Sequence, residues 1–141
     1  MSPHRLLQTF VLLAAVMIQV ACSNPFASAP SANTPNAPGS DSFSGSLAPG
    51  GAVVFTFSVT AAGSVGVTLT SVSPSTGSAL GLGVGPSSNG TCSVTNSTSS
   101  AIAGSAAQLT ASANPGTYCV RVSDAGSLTA TSTVTVIVTH S

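Results

Sequence analysis

Apolar residues recur at every second position in several separate stretches of this chain, and that period restricts the fold more than any other feature. In residues 51–60, GAVVFTFSVT, Val53, Phe55, Phe57 and Val59 share one parity, and Val54, Thr56, Ser58 and Thr60 the other. Side chains alternate faces along a strand, so this segment reads as a strand with one buried face. Residues 64–70 repeat the pattern with Val65, Val67 and Leu69. Residues 80–85 set Leu80, Leu82 and Val84 against Gly81, Gly83 and Gly85. Tyr118, Val120 and Val122 alternate with Thr117, Cys119 and Arg121, which points Cys119 away from the main core. The last strand, over 128–140, turns Val134, Val136 and Val138 inward.

Turn chemistry separates these runs. Leu109 and Ala111 precede Asn114-Pro115-Gly116, whose proline and glycine suit the two central positions of a type II turn. Asp124-Ala125-Gly126 marks a second turn. The alanines of residues 103–113 could support a short helix, and no other stretch beyond residue 41 has a helical period. Short strands with one apolar face each, broken by Gly, Pro, Asn and Ser, indicate an all-β antiparallel sandwich or barrel.

Charge excludes several function classes. Only 3% of residues are charged, the formal net charge is zero, and neither Lys nor Glu occurs. Two arginines, Arg5 and Arg121, cannot build the basic patch that nucleic-acid binding needs. Low charge alone would also suit a disordered chain, but 43% of residues are hydrophobic and the β-branched ones are patterned.

The N-terminal residues have a different character. His4 and Arg5 precede FVLLAAVMI, residues 10–18, an apolar run too short to span a bilayer. Residues 1–22 therefore read as an export signal. Val20-Ala21-Cys22 resembles the lipobox of bacterial lipoproteins, in which the cysteine is lipidated and becomes the new N-terminus; Gln19 departs from the usual aliphatic residue. The competing reading is ordinary signal cleavage and secretion. Residues 23–40, SNPFASAPSANTPNAPGS, make a Pro/Ser/Ala-rich tether that reaches roughly 55 Å if extended. Residues 41–141 are left as the folded domain.

Three cysteines in an exported chain leave one odd thiol. Cys92 and Cys119 are the only pair within the domain, so the sequence predicts their disulfide and leaves Cys22 for the lipid. No further ligands stand at a spacing that a cysteine-based metal site requires.

Two segments resemble bacterial pre-peptidase C-terminal domains: FSGSLAPGGAVVFTFSVTAAGSVGVTLT, residues 43–70, and GTYCVRVSD, residues 116–124. The resemblance covers most of residues 42–139. It implies a jelly-roll-like β-sandwich of about seven or eight strands, in a family whose members are mostly non-catalytic appendages of exported proteins. Some relatives in collagenases bind calcium through acidic clusters and collagen through surface aromatics. This chain offers only Asp41 and Asp124, and its single tyrosine, Tyr118, has inward parity, so neither activity carries over.

The sequence calls for no cofactor and shows no catalytic set. His140 reads as an exposed chain end, and abundant serines do not single out a nucleophile. GLGVG, residues 81–85, lacks the lysine of a phosphate loop. Arg121 is a possible ligand contact, but pairing with the nearby Asp124 is the reading that the sequence favours. Gly66, Gly81, Gly83 and Gly85 share outward parity and could admit a ligand or another backbone at close range. The sequence thus points to a non-catalytic cell-envelope protein, exported and held by a lipid at Cys22 on an outer membrane or cell surface, or else secreted. It would serve as a structural or binding module, the partner being an unidentified protein or glycan; the alternative is a carbohydrate- or protein-binding adhesion module, and an enzyme is the distant third.

Overall fold

The computed structural model describes residues 39–141. The export signal over 1–22, the lipidation at Cys22 and the tether up to residue 38 lie outside the described residues. Among the described residues there are nine strands and no helix: β1 Gly39–Leu47, β2 Ala52–Val59, β3 Gly63–Ser73, β4 Leu80–Ser88, β5 Thr91–Cys92, β6 Asn96–Ala101, β7 Leu109–Ala113, β8 Gly116–Ser123 and β9 Ser132–His140. The first strand begins two residues before the expected domain start at 41. The alanine-rich stretch forms an irregular connection and β7 instead of a helix.

All pairings are antiparallel. One sheet, A, runs β1-β9-β3-β7; the other, B, runs β2-β8-β4, with β5 and β6 both paired to the far side of β4. With the two-residue β5 taken as an extension of the β4–β6 pairing, this is the eight-strand order of a jelly roll. Most connections cross from one sheet to the other. The first of them, residues 48–51, is a tight turn closed by the Gly51 N–H donating to the Ala48 carbonyl at 2.9 Å. Gly50 has φ +68° there, a left-handed conformation that glycine adopts freely.

The core lies between the sheets and follows the alternation. Val65, Val67 and Leu69 of β3, Leu80, Leu82 and Val84 of β4, Val120 and Val122 of β8, and Val134, Val136 and Val138 of β9 are buried. Val54, Thr56 and Ser58, of the opposite parity in β2, are exposed. Phe57 pairs directly with Tyr118 across β2 and β8, with ring centroids 6.0 Å apart. Phe55 stacks on Phe43 of β1 at 5.3 Å, and Gly45 leaves the space that the Phe55 ring occupies.

Three local expectations are corrected. Gly116 is not the third residue of a type II turn. It already pairs with Val59 as the first residue of β8, so its backbone must be extended; the Asn114 N–H donates instead to the Tyr118 hydroxyl at 3.0 Å. Residues 128–131 precede the last strand, and Leu128 is buried in that connection. His140 is not an exposed chain end. It has the inward parity of Val134, Val136 and Val138, its side chain is 12% exposed, it stacks on Phe57 at 5.7 Å, and its Nε2 lies 3.0 Å from Asp41 Oδ2.

Candidate functional site: the outer face of sheet B

The site begins with the three glycines of β4. Leu80, Leu82 and Val84 fill the core, so Gly81, Gly83 and Gly85 line the outer face of sheet B and leave a trough along the strand. Gly66 lies in β3 of the other sheet, so the four glycines do not form one surface.

One end of the trough is filled by the chain itself. Asn89 and Gly90, at φ +50° and +76°, make the two-residue hairpin that turns β4 into β5. Ser93 N–H then donates to Pro86 O and Thr95 N–H to Val84 O, each at 3.0 Å. Three residues, 93–95, stand opposite Gly85 and Pro86, a bulge that lays backbone on the glycines. The Ser93 carbonyl occupies the place of a Gly85 β-carbon, and the Val94 side chain covers Gly83.

This covering segment also explains the cysteines. Cys119 pairs with Gly85 and Cys92 with Ser87, so their disulfide, with Cα atoms 5.7 Å apart, ties β5 to β8 across β4. Cys119 has the outward parity expected of it, yet it is fully buried, because segment 93–95 and the disulfide roof that part of the sheet.

The other end of the trough is open. Strand register lines up Ser97 of β6, Gly83 of β4, Arg121 of β8 and Val54 of β2 in one outward row. In the next row Gly81 pairs with Ser123, while the β6 irregularity places Ser99 and Ser100 opposite it. The result is a groove of about 590 Å³ with β6 hydroxyls on one wall, Arg121 and Ser123 on the other, and Val94 at its closed end. That volume falls in the range of small-ligand sites.

Arg121 lines this groove, and the pairing with Asp124 that the sequence favours does not form. Asp124 is buried and turned to backbone donors. Gly50 N–H reaches its Oδ2 at 2.8 Å, and Ser127 and Leu128 N–H reach Oδ1 at 2.7 and 3.2 Å. The Gly50 bond above all, with those from Ser127 and Leu128, outweighs burial and holds the carboxyl below the usual carboxylate range. Asp124 thus fastens the β8–β9 connection to the β1–β2 turn. Among the described residues Arg121 has no ion-pair partner, and the single contact between ionisable side chains is His140 Nε2 with Asp41 Oδ2. No group of three His, Cys, Asp or Glu side chains among them could hold a metal ion.

Sequence reasoning singled out Arg121 and the glycines but missed Val94, Ser97, Ser99 and Ser123. The Asn89-Gly90 pair was the available signal: a hairpin there folds residues 91–101 back onto β4 and brings those side chains to the groove.

No family model matches this chain, and no curated protein matches it. Among solved structures, the crystal structure of the Yersinia pseudotuberculosis-derived mitogen (YPM) is similar, with a TM-score of 0.50 and 13% sequence identity over 74% of this chain and 88% of that one. At that identity the likeness is one of fold.

Proposed function

We propose that this chain is a non-catalytic binding module of the cell envelope, exported and held to a membrane through a lipid on Cys22, with the sandwich carried on the tether that follows it, residues 23–38. The observation that carries this reading is how the few ionisable groups are used. His140 and Asp41 pair at the end of the core, and Asp124 is consumed by three backbone N–H groups. Arg121 is left to face the groove, with no base beside it to activate a nucleophile. A rigid sheet bearing a polar groove is suited to recognition. The Yersinia protein of similar fold is described as a mitogen; that activity belongs to that protein, and the shared fold supports a surface-binding role and nothing narrower.

The resemblance of residues 43–70 and 116–124 to pre-peptidase C-terminal domains fits the same reading, since those are mostly non-catalytic attachments of exported proteins. Display of the full chain against glycan and protein arrays tests it. The expected outcome is saturable capture of a ligand class that is recovered chemically unchanged. Recovery of a cleaved or modified ligand would contradict the non-catalytic reading.

A further inference from the structure

We propose that the open groove on sheet B binds an acidic saccharide, with Arg121 anchoring a sugar carboxylate. This deepens the binding-module reading and rests on it. The argument starts from charge. Arg121 carries the only Lys or Arg charge among the described residues, and it faces the groove without an acidic partner. The nearest candidate, Asp124, is committed to Gly50, Ser127 and Leu128. A guanidinium presents a planar fork of donors that matches a carboxylate in two parallel hydrogen bonds. In a chain with zero formal net charge, long-range steering contributes little, so the contact must act locally.

The rest of the groove suits a polyol. Ser97 and Ser99 face Ser123 across the strand that bears Gly81 and Gly83. Each hydroxyl both donates and accepts, which fits the hydroxyls of a sugar ring. Glycine at 81 lets a ring approach the sheet backbone, and a side chain there would project against the Ser123 hydroxyl. Val94 supplies one apolar contact at the closed end. Leu82, Ala125 and Val94 add small apolar patches between the hydroxyls, a mixture that suits the alternating polar and apolar surface of a sugar ring.

Tetragalacturonate and its fully methyl-esterified form are the probes. They share the ring system and differ in charge. Nuclear magnetic resonance titration of the isotope-labelled full chain should show the acid shifting the amide signals of Gly81, Ser97, Ser99 and Arg121. The ester should bind at least about tenfold more weakly, a loss of one charge-assisted contact. Arg121→Gln should weaken the acid by a similar factor and leave the melting temperature unchanged, because Arg121 is exposed. Equal affinity for acid and ester, or shifts confined to another surface, would overturn the proposal. Capture of a peptide or neutral glycan in the groove would also overturn it while leaving the binding-module reading intact.

Discussion

The carbonyl oxygen of Ser93 stands where a β-carbon on Gly85 would be, so the outer face of sheet B closes over β4 only because position 85 has no side chain. Gly85→Ala should therefore force the 93–95 segment off the sheet. The expected loss is about 3 kcal/mol, the upper end of overpacking costs. Gly83→Ala meets first the methyl groups of the Val94 side chain, where Gly85→Ala meets backbone, and should cost less. Urea unfolding of the two variants side by side checks the order; equal costs would contradict the close approach.

The disulfide holds that same segment. Cys92 and Cys119 are 27 residues apart, and a cross-link of that span stabilises by about 3–4 kcal/mol on a chain-entropy account. The Cys92→Ser, Cys119→Ser double variant should lose a comparable amount and expose Val94 and Gly85 to faster amide exchange. In the unreduced folded protein neither Cys92 nor Cys119 should react with an alkylating agent, and mass spectrometry of the peptides containing them would show it.

Asp124 predicts a pH dependence with a definite sign. Its folded-state pKa is lowered from the ordinary 3.8, first by the Gly50 N–H. A lowered carboxyl pKa stabilises the fold fully above the unfolded value, and the contribution is lost as pH falls through the folded value. Asp124→Asn should thus be less stable than the wild type at neutral pH, and the difference should shrink as acid is added below about pH 4. A gap that stays constant down to pH 2 would contradict the assigned role.

Much of the fold was legible because burial in a sandwich imposes a period of two. Val53 to Val59 and Val134 to Val138 announced their faces directly. The pattern fails where a strand packs on neither core nor apolar neighbour. Residues 96–101, NSTSSA, bury only Ala101, so β6 has no alternation to read and was missed. His140 was misread for a related reason: its inward parity was visible, but a partner in Asp41 depends on β1 pairing with β9 across nearly the whole chain. Arg121 was legible as a lone cation. The groove around it was not, since its walls come from a hairpin whose bulge only the folded register reveals.

The strand assignment itself has a sharp test in neighbours of opposite parity. Phe57 is 5% exposed and Thr56 is exposed on the outer face. Phe57→Ala should cost about 3–5 kcal/mol through lost burial and a cavity. Thr56→Ala should stay within about 1 kcal/mol. Denaturant melts under oxidising conditions measure both, and similar costs would mean that this segment does not alternate between core and solvent.

The proposed place of this sandwich is outside the cytoplasm, fixed to a membrane through Cys22. Growth of the producing cells with labelled palmitate tests it most directly. The account predicts label on the wild-type chain, recovery of that chain with the membrane fraction, and no label on Cys22→Ser. Wild-type protein that carries no label and accumulates in the medium would contradict the anchor.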